Sequence, residues 1–264
     1  MKYSFYILFV LLFLSCEEIQ VEDLLGDLSD ENIPITTLST LASTFSSSSV
    51  SINWMGNEYA NSFSYRLEPL SYTDPVKTYT SWSEWDTLNT VTFTNLDEGN
   101  YNFYIKSRFT VENEEISQSV NFIVDAIAGP ALRMYPLYQR VTSGENFDMY
   151  IYIEDVVDLE AMELHLSYPP SNISANTISP GSISSSSIFI DAINSADGTI
   201  ELISTAENFT GYTGSGTLAK ISLTAGSIAG LDTLHIKDTS ILRNSGNIPI
   251  DILNRMYGLI EGVE

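Results

Sequence analysis

The sequence predicts an all-β chain made of two tandem β-sandwiches. Three observations predict it. Beyond the first sixteen residues, no stretch holds a 3.6-residue apolar period. Short runs of alternating apolar and polar residues recur instead, broken by Gly, Pro, Asn and Asp. The composition also suits pleated surfaces: 15 Tyr and 12 Phe stand among abundant Ser, Thr and Ile.

The first sandwich is expected over 34–127. A Ser/Thr-rich lead runs into Val50, Ile52 and Trp54, whose alternation gives one apolar face. Phe63, Tyr65 and Leu67 form the next. After a proline-bearing turn come a strand through Trp82 and Trp85, then one carrying Val91 and Phe93. Tyr101, Phe103 and Ile105 point inward, leaving Lys106 and Arg108 on the other parity. Val120, Phe122 and Val124 close the set. Six or seven short strands with regular turns are the pattern of an immunoglobulin-like sandwich. Trp82 and Trp85 are three residues apart, so on an extended strand they are predicted to face opposite sides.

The second sandwich is expected over 128–264, after the break at Gly129-Pro130. Phe147, Met149, Ile151 and Ile153 alternate with Tyr150 and Tyr152. Met162, Leu164 and Leu166 repeat the pattern, with Glu163 and His165 outside. These are predicted to be two long strands separated by an acidic loop. Leu218, Ile221 and Leu223 change parity once, which predicts a bulge. Leu234, Ile236 and Ile241 and two closing runs bring the total to about nine strands, enough for a jelly-roll-like double sheet.

Two resemblances rest on these residues. The first segment resembles a fibronectin type III domain, through Trp54 and through Leu96, Gly99, Tyr101, Phe103 and Ile105. The likeness implies that Leu96 and Tyr101 are core residues and that the tyrosine ties down the preceding loop. The second segment resembles a cohesin domain, the module that binds dockerins. Val141, Gly144 and Phe147 open its first long strand; Val157, Ala161, Leu164, Leu166, Tyr168 and Pro170 follow. Gly214, Gly216, Leu218, Ala219 and Ile221 form the most specific of its motifs. Ala161 stands where glycine is common and Pro169 where aspartate is usual. The cohesin likeness implies a flattened nine-stranded sandwich that docks a protein on one sheet face. These framework positions are not contacts, so the binding residues are unknown at this level.

The N-terminus carries its own signal. Lys2 precedes an apolar run, Tyr3 to Leu14, then Ser15 and Cys16, the chain's single cysteine. The run is shorter than the ~20 residues of a transmembrane helix and suits the core of a signal peptide. It resembles a bacterial lipoprotein signal, although Phe13 occupies the usual leucine place. The expectation is a signal peptide at 1–15, lipidation at Cys16 and an acidic tether over 16–33, which holds seven acids and no base. The protein would then be extracytoplasmic, lipid-anchored at the outer membrane or cell surface.

With 34 acidic and 11 basic residues the net charge is −23. No basic cluster exists to compensate phosphates, which argues against nucleic acid as a partner. Glu154, Asp155, Asp158, Glu160 and Glu163 match no calcium-loop spacing. His165 and His235 are the only histidines, each on a strand, and no nucleophile elbow, phosphate loop or metalloprotease motif occurs. No enzyme activity, cofactor or metal is expected. The leading expectation is a surface scaffold whose cohesin-like domain docks a dockerin-like or other extracellular protein. The alternative is a carbohydrate-binding module for polysaccharide, which would need a coplanar exposed set drawn from Trp82, Trp85, Tyr150 and Tyr152. A third option is a structural envelope role.

Overall fold

The structure is a computed structural model that describes residues 33–70, 81–110, 113–115, 118–184, 188–205 and 211–263. The signal run, Cys16 and the tether up to residue 32 lie outside the described residues, as does the proline-bearing turn at 71–80. Every regular element described is a β-strand.

The N-terminal part contains β1 (Thr36–Leu38), β2 (Thr44–Phe45), β3 (Val50–Gly56), β4 (Ser62–Pro69), β5 (Thr90–Phe93), β6 (Gly99–Thr110), β7 (Asn113–Glu114) and β8 (Gln118–Val124). One sheet has the order β1-β3-β5. The other is β2-β8-β6-β4, with β7 against β6. Alternation sets the layers: Val50, Ile52 and Trp54 are buried, while Ser51, Asn53 and Met55 are exposed. Their partners across the core are Phe63, Leu67, Tyr101, Phe103, Ile105, Phe122 and Val124. Trp54 sits at the centre, with its ring 5.8 Å from Phe63 and 6.1 Å from Phe103. The Tyr101 hydroxyl donates to the Asp97 carbonyl at 2.7 Å and pins the turn between β5 and β6.

One expected strand is corrected here. Residues 81–85 form no strand. The Tyr65 N–H donates to Ser83 Oγ at 3.0 Å, and the Ser83 N–H to the Tyr65 carbonyl at 2.8 Å. The serine side chain takes a bond that a ladder would give to backbone, and regular pairing stops after one Phe63–Asp86 bridge.

The C-terminal part contains β9 (Ala131–Tyr135), β10 (Tyr138–Thr142), β11 (Asn146–Ser167), β12 (Ile173–Pro180), β13 (Ile188–Asn194), β14 (Thr199–Thr205), β15 (Tyr212–Ala225), β16 (Leu231–Ile236), β17 (Ile241–Asn244), β18 (Pro249–Ile250), β19 (Asn254–Met256) and β20 (Gly258–Val263). All join one hydrogen-bonded system. About nine strands were expected and twelve segments occur: breaks at 136–137, 237–240 and 257 divide three of the expected strands and β12 is an additional one, while two expected strands merge into β11.

The two strands with an acidic loop between them are one strand. β11 runs unbroken for 22 residues. Its first half pairs with β9 and β15, its second with β14 and β17. It crosses between layers at bulges where Asp155 (φ 50°) and Asp158 (φ 61°) turn left-handed. The acids do not break the strand because Glu154 is buried against Arg133 rather than solvated. The parity change in β15 is a bulge as expected: opposite Ile151 and Tyr152 the register passes from Ala219 to Thr217, skipping Leu218. Met149, Ile151, Ile153, Leu164, Leu166, Ile200, Leu202, Ile221, Leu223 and Leu234 fill the core.

Candidate docking face

The β13–β14 hairpin is apolar on both sides. Ile200 and Leu202 point inward and are fully buried, and Phe189 and Ile193 pack on the same core. The outward parity carries Ile188, Ile190 and Ile203, which are 56%, 58% and 51% exposed. Ile190 lies directly opposite Ile203, and Ile203 opposite Glu163 of β11, which in turn faces Ile241 of β17. The next row is Ala192, Glu201 and His165. Four strands thus present a flat patch, isoleucine-rich toward the β13 edge and polar toward its centre.

Gly198 fixes the hairpin. Its φ is +63°, and a Cβ there would stand 2.2 Å from the Tyr168 carbonyl oxygen. Only glycine fits both conditions. β13 ends the sheet order, so its outer backbone edge is open among the described strands. At the polar end, His165 Nε2 lies 3.2 Å from Glu163 Oε1, and His165 Nδ1 lies 3.9 Å from Glu201 Oε1. The His165 N–H donates to Ser240 Oγ at 3.0 Å, which ties this row to the β16–β17 turn.

The outer face of the opposite layer differs in kind. There Thr224 Oγ1 donates to Asn146 Oδ1 at 2.6 Å and accepts from Asn176 Nδ2 at 2.8 Å. Asp148 takes Ser222 Oγ at 2.7 Å and Lys220 Nζ at 2.8 Å. Burial acts to raise the Asp148 carboxyl, but the hydrogen bonds from Lys220 and Ser222 outweigh it and hold the group below its ordinary value. Polar groups on this layer are already paired with one another. On the β13–β14 face the apolar side chains are not covered. Val157, Ile248 and Leu253 are also exposed, but they stand on a bulge and in turns rather than in paired register.

The expected aromatic candidates do not form a coplanar exposed set. Trp82 and Trp85 are half-buried and lie on the same side, not on opposite sides. Lys106 Nζ is 5.0 Å from one ring centroid and 4.9 Å from the other. Arg66 covers Trp82 at 5.0 Å and Arg108 covers Trp85 at 4.2 Å. Because residues 81–85 are not an extended strand, the period-2 rule does not apply, and the rings intercalate between cations. Tyr150 and Tyr152 are half-buried beside Tyr135. His235 stacks on Tyr257. Among the described residues no group of three or more His, Cys, Asp or Glu is placed to hold a metal ion. A cavity of about 300 Å³ opens where the two sandwiches meet, lined by Tyr65, Arg66, Trp82, Phe93, Leu96 and Tyr138.

Sequence reasoning named no contact residue. The usable signal was Ile188-Phe189-Ile190, apolar on both parities, which asks for cover on both faces of the strand.

Among solved structures, the chain is similar to a non-cellulosomal cohesin from Archaeoglobus fulgidus, at 15% identity and TM-score 0.45 over 51% of this chain and 91% of that one. It is similar to the cohesin of a type I cohesin–dockerin complex from Clostridium thermocellum, at 11% identity and TM-score 0.44 over 50% and 98%. A third is the ScaC cohesin of Acetivibrio cellulolyticus, at 18% identity and TM-score 0.43 over 50% and 99%. No curated protein matches the chain. The family model described as Cohesin domain matches residues 139–252, the segment that bears this face.

Proposed function

We propose that the chain is a lipid-anchored surface protein whose second sandwich docks an extracellular protein module on the β13–β14–β11–β17 face. One observation carries this reading: Ile190 and Ile203 are paired in register and each more than half exposed, within a patch bordered by Glu163 and Glu201. Uncovered apolar side chains rimmed by polar ones mark protein interaction sites. Asp191 lies on the open edge, and the chain's net charge is −23. The fitting partner is therefore a dockerin-like module that presents apolar side chains flanked by basic ones. The cohesin match over 139–252 supports the same class of partner. The test is capture from the organism's own extracellular fraction on the immobilised chain. Recovery of a defined protein supports docking. Recovery of polysaccharide without protein overturns it.

The rest of the chain serves that face in this proposal. Residues 1–15 are the signal peptide, Cys16 carries the lipid, 16–33 is the tether and 34–127 is a fibronectin type III-like spacer below the docking domain at 128–264. The proposed location is the outer membrane or the cell surface. The placement of the sole cysteine directly after a short apolar run supports the anchor. Each acyl CH₂ placed in the bilayer is worth about 0.8 kcal/mol, and stable anchoring needs more than one chain. Cys16→Ser is expected to lose all label from a fatty-acid analogue and to release the protein from the membrane fraction. Equal label in both forms would rule lipidation at Cys16 out.

The polysaccharide alternative has one favourable observation, the seam cavity with Trp82, Tyr65 and Tyr138 in its lining. It predicts that Trp82→Ala loses sugar retention in affinity electrophoresis while partner capture is unchanged.

A further inference from the structure

Residues 125–130 join the sandwiches, and their backbone is tied at successive points. The Asp125 N–H donates to the Phe45 carbonyl at 2.8 Å. The Ile127 N–H donates to Glu98 Oε1. The Ala128 carbonyl accepts from Asn254 Nδ2 at 2.9 Å, and the Pro130 carbonyl from the Leu253 N–H at 2.8 Å. A flexible linker leaves such groups to water. Beneath it, Ile127, Ala131 and Leu137 form a small apolar cluster with Ala126 and Met256.

At the centre of the seam is Arg133 of β9, 3% exposed. Its Nε–H donates to Glu154 Oε1 at 2.7 Å, within the second sandwich. Its Nη1 lies 3.6 Å from Asp97 Oδ1, in the β5–β6 turn of the first. Asp97 Oδ1 also accepts the Leu137 N–H at 2.8 Å. The guanidinium plane is flanked by Tyr152 at 4.4 Å and Tyr135 at 5.3 Å. Burial acts to discharge Arg133, but the charges of Glu154, Asp97 and Glu98 outweigh it and raise its pKa further. A buried charge shared between two units resists their separation, because parting them strands the group left behind.

We infer that the two sandwiches move as one rigid body, with Arg133 clamping the Asp97–Glu98 turn so that the docking face is held at a fixed angle to the anchored end. Relative motion is the ordinary behaviour of domains in one chain; the tied linker and the shared guanidinium remove it here. This clamp does not depend on what docks.

Residual dipolar couplings on residues 16–264 with Cys16→Ser test it. Wild-type couplings from both sandwiches are expected to fit a single alignment tensor. Asp97→Ala removes the Arg133 contact and the acceptor for Leu137, and is expected to split the fit into two tensors while each sandwich keeps its dispersed spectrum. Asp97→Asn, which restores the acceptor, is expected to recover part of the coupling. Two tensors in the wild type, or one tensor in folded Asp97→Ala, would overturn the inference.

Glu98 gives a second handle. Burial pushes its carboxyl up, the Ile127 N–H pulls it down, Glu154 pushes it up and Arg133 pulls it down; the net shift is upward from 4.5. A carboxyl raised on folding favours the native state below its unfolded value, and that contribution is lost as pH rises through the folded value. Glu98→Gln keeps an acceptor for Ile127 and drops the repulsion with Glu154. It is expected to keep the single tensor and to melt above wild type near pH ~7, with the difference closing below pH 4.5. Two tensors in this variant would also overturn the inference.

Discussion

Changing Ile190 and Ile203 together to aspartate is expected to abolish partner capture and leave the fold in place. Both side chains are more than half exposed and opposite each other. Their loss removes a cross-strand pair worth at most about 1 kcal/mol, small against the ~5–15 kcal/mol of a folded protein. At an interface the balance reverses. Anchors at the centre of a docking patch cost about 2 kcal/mol or more each when truncated, and two of them give a loss of roughly 10²–10³-fold in affinity. The new carboxylates would also stand beside Glu163 and Glu201, desolvated against the partner. Capture on the immobilised variant, with circular dichroism to verify the fold, measures both. Asn176→Asp, on the polar layer, is the control and is expected to retain capture. If the isoleucine variant still binds and Asn176→Asp does not, the partner sits on the other sheet.

Trp54→Ala is expected to bring the first sandwich to the edge of unfolding. The ring is 1% exposed and touches Phe63, Tyr65 and Phe103 in one aromatic cluster. Truncating a buried tryptophan costs about 3–5 kcal/mol, transfer and cavity together. No disulfide is available to compensate, since the one cysteine is Cys16. Trp54→Phe is expected to cost less than half as much. It keeps a ring in the cluster, and it deletes an indole N–H that is buried without a hydrogen-bond partner among the described residues, a group that carries a penalty of about 1–3 kcal/mol. Urea denaturation followed by far-UV circular dichroism would rank the three proteins. Equal midpoints for alanine and phenylalanine would show that the indole N–H, not the ring volume, decides stability there.

Alternation made most of the fold readable. Val50, Ile52 and Trp54, or Leu164 and Leu166, lie inside because the neighbours between them are polar and a strand has no third side. The bulge near Leu218 was legible for the same reason, since a parity change has no other cheap solution. β11 was not legible as one strand. Glu154, Asp155, Asp158 and Glu160 look like a solvated loop until Arg133, twenty-one positions away in sequence, is placed beside Glu154. The Trp82–Trp85 segment failed likewise: Ser83 competes for the Tyr65 backbone, a tertiary fact with no local pattern. For the docking face, the residue types were visible in Ile188-Phe189-Ile190, but its other members come from β11, β14 and β17 and meet only through register.

β10 and β20 lie side by side and point the same way, from Tyr138 against Leu259 to Thr142 against Val263. A tug between a tethered end and a captured cargo would enter the second sandwich along β9 and β10. Strands stretched along their own axes in this arrangement slide against their neighbours, so the rungs share the load and must fail together. A hairpin pulled open from its tip would surrender them singly. If the chain is anchored and docked as proposed, this parallel register is expected to raise the force at which the second sandwich yields.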